Sequence, residues 1–358
     1  MRTAATHHAI DNRPQWVLWG VLFGVMLAEL LTSLVDPQVG LVAHAALLVG
    51  LTLYGALGRL DAARKLALAL TLAPLIRLLS LALPLARFPQ LAWYPMVAVP
   101  LFLAAGLLIR LLGLSRQTLG LRVGSLPLQL MLVGGGLGLG ALEYTILKPA
   151  PLLNSLAPDA LWLPALSLII CTGLSEELIF RGLLQPVAMP ALGRWAIAYV
   201  ALLFAVLHIG YLSVLDVVFV FAVGLVFGYI VRLGGSILGV SLAHGLTNIT
   251  LFLLLPYAAR NPGALANVMP WVVAAGSSVA ILAIYMLILR TLVQQAAVAP
   301  HIPSWGNIRE QRRRAGLAYI DLAERTGISV RTLAEIEHGL RLPQPEQIQL
   351  IANALGAS

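Results

Sequence analysis

Residues 16–35 read WVLWGVLFGVMLAELLTSLV, a run of 20 residues in which Glu29 is the only charged side chain. An α-helix that crosses a lipid bilayer needs about 20 consecutive, mostly apolar residues. Arg2 and Arg13 precede the run, but no clear small-residue cleavage site follows it. The stretch therefore predicts a retained membrane span and not a removed signal peptide.

The same pattern recurs along most of the chain. Of its 358 residues, 59% are hydrophobic and 11% are charged, whereas soluble domains have roughly 45–50% and 25%. This composition excludes a disordered chain, a collagen-like chain and an ordinary water-soluble enzyme. It predicts an all-α fold, with a polytopic transmembrane helix bundle within residues 1–291. We identify ten candidate spans, near residues 16–35, 39–57, 66–86, 92–112, 126–147, 161–180, 196–212, 215–231, 237–255 and 270–289.

Basic residues are distributed unevenly between alternate loops. When the N-terminus is placed inside, twelve lysines and arginines fall in inside loops, and only Arg87, Lys148 and Arg260 fall in outside loops. Loops rich in Lys and Arg remain on the cytosolic side of a membrane. With ten spans, both termini are therefore predicted to be cytosolic.

Charged side chains inside membrane spans are costly and are often functional. Glu29, His44 and Arg77 each stand alone in the sequence, which favours pairing between helices or contact with the interface. Glu143 lies near the outer end of its span. We expect it to form an ion pair with Lys148 at the membrane surface.

A denser group of charges lies in residues 175–181, which read SEELIFR. Glu177 and Arg181 are four residues apart, so they share a helix face and can pair. Glu176 is rotated by about 100° from its neighbour and points elsewhere. One acid is therefore predicted to be structural while the other is free for chemistry. The alternative, a solvated pair at a helix end, leaves Glu176 without a role.

Two later spans carry the other candidate site residues, which are His208 in the first span and His244 and Asn248 in the second. Phe204 and His208 are four residues apart, as are His244 and Asn248. One helical turn separates the members of each pair, so both members face one side of their helix. A lone histidine in a span is usually a packing residue. Two histidines, an asparagine and a pair of glutamates on three spans predict a shared site.

The three elements resemble the motifs of the CAAX protease and bacteriocin-processing family, also called Abi. Its pattern is Glu-Glu-x-x-x-Arg, then Phe-x-x-x-His, then His-x-x-x-Asn/Asp, and the resemblance covers about residues 160–255. The family includes the type II CAAX prenyl endopeptidases, which cut inside the membrane. The resemblance implies an intramembrane endopeptidase whose substrate is a membrane-associated or lipidated peptide or protein.

The resemblance also implies a role for each motif residue, in a cavity open to the cytosol. Glu176 would act as a general base on water, assisted by His208. His244 and Asn248 would stabilise the oxyanion of the tetrahedral intermediate. The second glutamate and the arginine of the first motif would hold the site together.

Other interpretations remain open. Two histidines and a glutamate could form a zinc site, but the sequence lacks His-Glu-x-x-His and the family's favoured mechanism activates water by glutamate alone, so no metal cofactor is expected. Ser236 and His244 could form a catalytic dyad, which would leave Glu176 unexplained. The glycines within residues 134–140 favour close helix packing over phosphate binding. A membrane-anchored regulator without catalysis is the alternative from another functional class.

The C-terminal tail has a different composition. Residues 292–306 contain two prolines and predict a linker. Residues 307–358 resemble the Xre type of helix-turn-helix domain, similar to Cro and lambda repressor. Gly327 suits a left-handed turn position and Ser329 can cap the next helix, so residues 330–338 form the predicted recognition helix. Such a tail favours a prokaryotic inner membrane as the location.

The tail's charge gives only a small electrostatic attraction for DNA, with seven basic and six acidic residues. Tyr319 occupies a position where Xre-type domains commonly have a DNA-contacting glutamine. We expect the arginines of the first tail helix, including Arg312, to be exposed. Arg331, Thr332 and Glu335 are expected to approach base edges in the major groove. The alternative is a domain that binds a protein partner.

Overall fold

The computed structural model describes residues 13–263, some of the residues between 267 and 281, and residues 308–338, 341 and 343–355. The chain forms two compact units, Met1–Leu287 and Ile288–Ser358. Every regular element in the described residues is helical, which confirms the predicted all-α fold. The predicted linker lies outside the described residues.

Long apolar helices make up the first unit. Short 3-10 and π-helical turns connect or extend several of them. The α-helices described in this unit are α1 (Arg13–Leu30), α2 (Pro37–Ala56), α3 (Ala62–Leu70), α4 (Leu72–Ala82), α5 (Gln90–Leu111), α6 (Leu126–Leu147), α7 (Pro158–Leu168), α8 (Ser175–Glu177), α9 (Gln185–Leu192), α10 (Ala196–Val206), α11 (Val214–Gly234), α12 (Leu238–Ile249) and α13 (Leu255–Arg260).

Eight segments of the described residues are long and apolar enough to cross a membrane. The predicted polytopic bundle is therefore confirmed, although ten spans were expected. The predicted spans 161–180 and 196–212 fall within one helical segment of 54 residues, Pro158–Tyr211. They merge because only short helical turns separate α7 through α10. Most of the predicted span 270–289 lies outside the described residues.

Helices α6 and α12 pack closely through small residues. A Cβ atom added to Gly136 would meet the carbonyl oxygen of Ala243, and one added to Gly140 would meet that of Thr247. The Thr247 hydroxyl donates a hydrogen bond to the Gly136 carbonyl at 3.2 Å. The predicted packing role of these glycines is confirmed. Since residue numbers increase together along the contact, the two helices run in parallel.

Two π-helical stretches flank the glutamate pair. Ile169–Leu174 precedes α8 and Leu178–Leu184 follows it. The wider π-helical turn is rare and is found frequently at functional sites. Gly173, in the first stretch, lies against α12, because a Cβ atom there would meet the Ser241 carbonyl. The close approach brings the glutamate-bearing segment beside the helix that carries His244.

The described part of the second unit has four helices: α14 (Ile308–Arg314), α15 (Tyr319–Thr326), α16 (Val330–Glu337) and α17 (Pro345–Ala354). Their core includes Leu322, Leu333 and Ile336. Gly327 ends α15 at a φ of 69° in the left-handed region, and the Ser329 side chain accepts a hydrogen bond from the backbone of α16. Both features were predicted, and the helix-turn-helix fold is confirmed.

Candidate active site

One cavity of about 450 Å³ opens among the helices of the membrane unit. Its volume lies within the range of pockets that bind small ligands. Five of the six predicted site residues line the cavity: Glu176, Glu177, His208, His244 and Asn248. The sixth, Arg181, is buried and does not line the cavity.

Glu177 and Arg181 form the predicted ion pair. The Arg181 guanidinium donates to Glu177 Oε1 at 2.9 Å, and both side chains are buried. His244 Nδ1 lies 2.9 Å from the same oxygen. The ring of Phe204 covers the guanidinium at 4.6 Å. Arg181 therefore belongs to the buried core of the unit.

Glu176 has different surroundings from Glu177. Its side chain is 31% exposed while that of Glu177 is 0% exposed. Glu176 Oε2 lies 3.8 Å from His244 Nε2, which is too far for a hydrogen bond. One residue step turns a helix by about 100°, so the two acids face different environments. His244 lies between them.

His208 and Asn248 are each held by one hydrogen bond. His208 Nδ1 lies 2.8 Å from the Phe204 carbonyl oxygen, which can only accept, so Nδ1 carries the proton. Asn248 Nδ2 donates to Thr172 Oγ1 at 2.8 Å. This contact of Thr172 with a site residue was not predicted from the sequence. The available signal was its position one turn before Glu176 on the same helical segment.

Glu29, His44 and Arg77 come together although they are distant in sequence. Arg77 binds both carboxylate oxygens of Glu29, at 2.8 and 2.7 Å, and His44 Nε2 lies 3.5 Å from the same group. The predicted pairing between helices is therefore present. Arg77 also lines the cavity and donates to the Leu207 carbonyl at 2.8 Å, immediately before His208. Its place at the site was not foreseen.

Glu143 is 8% exposed and lines the cavity. No ion pair or side-chain hydrogen bond links it to Lys148 or to another described residue. The predicted surface pair is therefore wrong. Five residues turn a helix well past one full turn, so positions 143 and 148 do not share a face.

The surroundings of Ser236 bear on the alternative serine mechanism. The Ser236 hydroxyl donates to the Arg122 carbonyl at 2.6 Å and accepts a hydrogen bond from the Leu238 amide. It does not line the cavity, so the Ser236–His244 dyad is wrong. Across the residues with a described placement, no group of three or more His, Cys, Asp or Glu side chains is arranged to hold a metal.

A second buried cluster lies in the tail. Arg312 pairs with Glu337 at 2.6 Å, and the Tyr319 hydroxyl donates to the same carboxylate at 2.7 Å. Burial alone raises the pKa of Glu337, but hydrogen bonds and positive charge from its partners outweigh burial and lower it. Arg312 is 8% exposed, so its predicted exposure is wrong. Tyr319 is partly buried and packs against the core of the tail.

The three predicted DNA-contacting residues lie on or beside the surface of α16. Arg331 is 89% exposed and pairs with Glu335 at 2.9 Å. The Thr332 hydroxyl lies 2.9 Å from Ser329 Oγ at the start of the helix. The Glu335 carboxylate therefore partly neutralises Arg331, which is the one cation among these three residues.

Two segments match protein families. Residues 158–250 match the family described as type II CAAX prenyl endopeptidase Rce1-like, and residues 308–358 match the helix-turn-helix family. No curated protein and no solved structure matched the chain. The predicted resemblance is therefore confirmed: within this chain a CAAX prenyl endopeptidase-like segment precedes an Xre-type helix-turn-helix segment.

Proposed function

We propose that the membrane unit is an intramembrane endopeptidase that hydrolyses a peptide bond in a membrane-associated or lipidated substrate. One observation carries this proposal. Two adjacent glutamates have opposite surroundings. Glu177 is buried and paired with Arg181, while Glu176 faces a cavity of about 450 Å³. A partnered acid can hold a site together, and an accessible one can exchange protons with water.

In the proposed reaction, Glu176 removes a proton from water as the water oxygen attacks the substrate carbonyl carbon. His208 orients this water through Nε2, because its Nδ1 proton is held by a backbone carbonyl. His244 acts as an imidazolium with both ring nitrogens protonated, so that Nδ1 donates to Glu177 and Nε2 donates to the developing oxyanion. The Asn248 amide is the second donor, and each such donor is worth about 3–4 kcal/mol. The C–N bond then breaks, and the proton on Glu176 passes to the leaving amine.

Glu177 and Arg181 act as positioning residues in this scheme. The Glu177 carboxylate fixes the His244 ring through Nδ1 at 2.9 Å, and Arg181 balances the charge of the carboxylate. A histidine whose second nitrogen binds a carboxylate has a defined orientation. The scheme uses side chains of this chain alone, and we propose no metal cofactor.

The orientation and the tail complete the proposal. The basic loops support cytosolic termini, and the helix-turn-helix tail supports a prokaryotic cell membrane. The helix-turn-helix fold supports DNA binding by the tail. Arg331 is paired with Glu335, and the Tyr319 hydroxyl is bound to Glu337, so both side chains already have partners within the tail. These two contacts favour a protein partner as the second candidate. Gel shifts with the full-length protein distinguish them, since binding to DNA phosphates must weaken as salt increases.

Peptide cleavage by the purified full-length protein tests the enzymatic proposal. We expect Glu176→Ala and His208→Ala to reduce cleavage by about 10²- to 10⁴-fold without unfolding the protein. Asp159→Asn, at an exposed position on α7, is the control and keeps activity. Wild-type cleavage by Glu176→Ala removes the mechanism. A chelator is expected to leave activity unchanged, and Glu176→Gln in native membranes serves to trap the substrate.

A further inference from the structure

Glu143 is a carboxylate that the proposed reaction does not use. It belongs to α6, outside the endopeptidase-like match at residues 158–250. The residue is 8% exposed and lines the same cavity as Glu176. Its side chain joins no ion pair or hydrogen bond within the described part of the chain. A buried carboxylate without a partner is costly, most of all inside a membrane.

The other charged groups that line the cavity do not neutralise Glu143. Arg77 is bound through two atoms to Glu29. Glu177 is paired with Arg181. His244, which carries both ring protons in the proposed reaction, lies between Glu176 and Glu177 and offsets the charge of Glu176. Among the described residues that line the cavity, Glu143 is the acid left without a cation. A substrate with a positive group complements this wall.

The helix register gives the position of Glu143 relative to the proposed chemistry. Helices α6 and α12 run in parallel, and Gly140 contacts Thr247 and Thr250. Glu143 therefore lies near the level of Thr250, six residues beyond His244. Six residues of helix rise by about 9 Å. An extended peptide covers this distance in about three residues.

We propose that Glu143 binds a lysine or arginine side chain of the substrate, about three residues from the bond that is cut. Apolar side chains, among them Leu139, Val223 and Phe252, line the same cavity. Lys and Arg can lay their methylene stems on such a surface while the charged end reaches a carboxylate. The inference rests on the proposed function, because the scissile bond is taken to lie at Glu176.

Binding of a simple cation tests Glu143 without any cleavage. Decylammonium and decanol have the same alkyl chain, and only the first is charged. In uncharged detergent, we expect the full-length protein to bind decylammonium about tenfold more tightly than decanol, as a desolvated charge pair allows. Glu143→Gln should remove the difference. Equal affinities for the two compounds in the wild type would overturn the proposal.

Asp216→Asn is the matched control for this experiment. Asp216 is also fully buried, and its carboxylate oxygens have no hydrogen-bond partner among the described residues. Unlike Glu143, it does not line the cavity. The control variant should keep the preference for decylammonium. A loss of preference in Asp216→Asn that equals the loss in Glu143→Gln would contradict a specific role for Glu143.

Cleavage of a mixed peptide library then tests the register. The wild type should favour Lys or Arg about three residues from the cut. Glu143→Gln should lose this preference while still cutting neutral peptides. Glu143→Lys should instead favour Asp or Glu at the same position. An unchanged preference in Glu143→Gln overturns the proposal. If the wild type cuts no peptide, the proposed function fails, and the decylammonium result still decides whether Glu143 is a cation site.

Discussion

The tail and the membrane unit each bury a glutamate beside an arginine, and the two clusters differ in their remaining hydrogen-bonding capacity. In the tail, both oxygens of Glu337 are used. Arg312 binds Oε1 at 2.6 Å and Oε2 at 3.3 Å, and Tyr319 donates to Oε2 at 2.7 Å. Such a cluster is closed, and its consequence is a fixed contact between α14, α15 and α16.

The membrane cluster of Glu177, Arg181 and His244, in contrast, is open, because it keeps a hydrogen-bond acceptor that no described residue uses. Glu177 Oε1 accepts hydrogen bonds from both Arg181 and His244, while Glu177 Oε2 has no hydrogen-bond partner among the described residues. Glu176, the next residue, contacts His244 only at 3.8 Å. The Glu176 carboxylate is accessible from the cavity, so its hydrogen-bonding capacity is available to water and substrate. The closed cluster stabilises the tail, whereas the open cluster lies beside the cavity in which we propose the reaction takes place.

Arg181→Met should give the largest loss of stability. It removes the cation from a buried pair and leaves Glu177 uncompensated, which costs about 3–5 kcal/mol in the free energy of unfolding. Denaturant unfolding in mild detergent measures this. Arg194→Met, at an exposed position in a 3-10 helical turn, is the control and should be nearly neutral. Similar stability of the two variants would mean that the membrane cluster is not structural.

Glu337→Gln should loosen the tail by about 1.5–3 kcal/mol, because charged hydrogen bonds become neutral ones. The pKa of Glu337 is lowered in the folded tail, so its stabilising effect is full above the unfolded pKa of about 4.3. The effect is lost as pH falls through the lower folded pKa. Amide hydrogen exchange in the full-length protein should show this acid sensitivity in the wild type and not in Glu337→Gln.

Arg77→Lys should reduce cleavage by about tenfold, since a small misplacement of a catalytic group is costly. Lysine cannot hold Glu29 through two atoms and also bind the Leu207 carbonyl, so the backbone before His208 loses a support. The ratio kcat/KM of the two proteins measures the effect. Arg87→Lys, at an exposed site, should be silent. Unchanged activity in Arg77→Lys contradicts a positioning role.

Arg331→Ala should have the smallest effect on stability, below about 1 kcal/mol, because exposed ion pairs contribute little. If the tail binds DNA, the same change should reduce the magnitude of the slope of the logarithm of the binding constant against the logarithm of salt concentration by about one, which corresponds to one phosphate contact. Glu335→Gln is the matched variant and should strengthen binding by freeing Arg331. Gel shifts over a salt series check both variants. An effect of Arg331→Ala limited to a protein partner would favour the second candidate function.

Local spacing predicted the features that depend on a single helix. The Glu177–Arg181 pair, the left-handed Gly327 and the Ser329 cap all follow from neighbouring positions, and all are present. The family motifs also named six residues that line one cavity. These signals are local, so one sequence is enough to read them.

The missed features depend on how helices rotate and pack. The membrane helices are apolar on all sides, so their periodicity does not reveal which face turns inward. The meeting of Glu29 with Arg77, the bond from Asn248 to Thr172 and the cavity position of Glu143 could not be read from spacing for this reason. The π-helical turns beside the glutamate pair change the helix phase and add to the difficulty.

Glu176→Gln and Glu177→Gln, measured side by side for cleavage and for unfolding, separate a catalytic glutamate from a structural one. The substitutions are chemically identical and one residue apart. We expect Glu176→Gln to lose cleavage by about 10²-fold or more at nearly unchanged stability, whereas Glu177→Gln should lose stability together with activity. A stable, active Glu176→Gln, or a Glu177→Gln as stable as the wild type, would contradict the account.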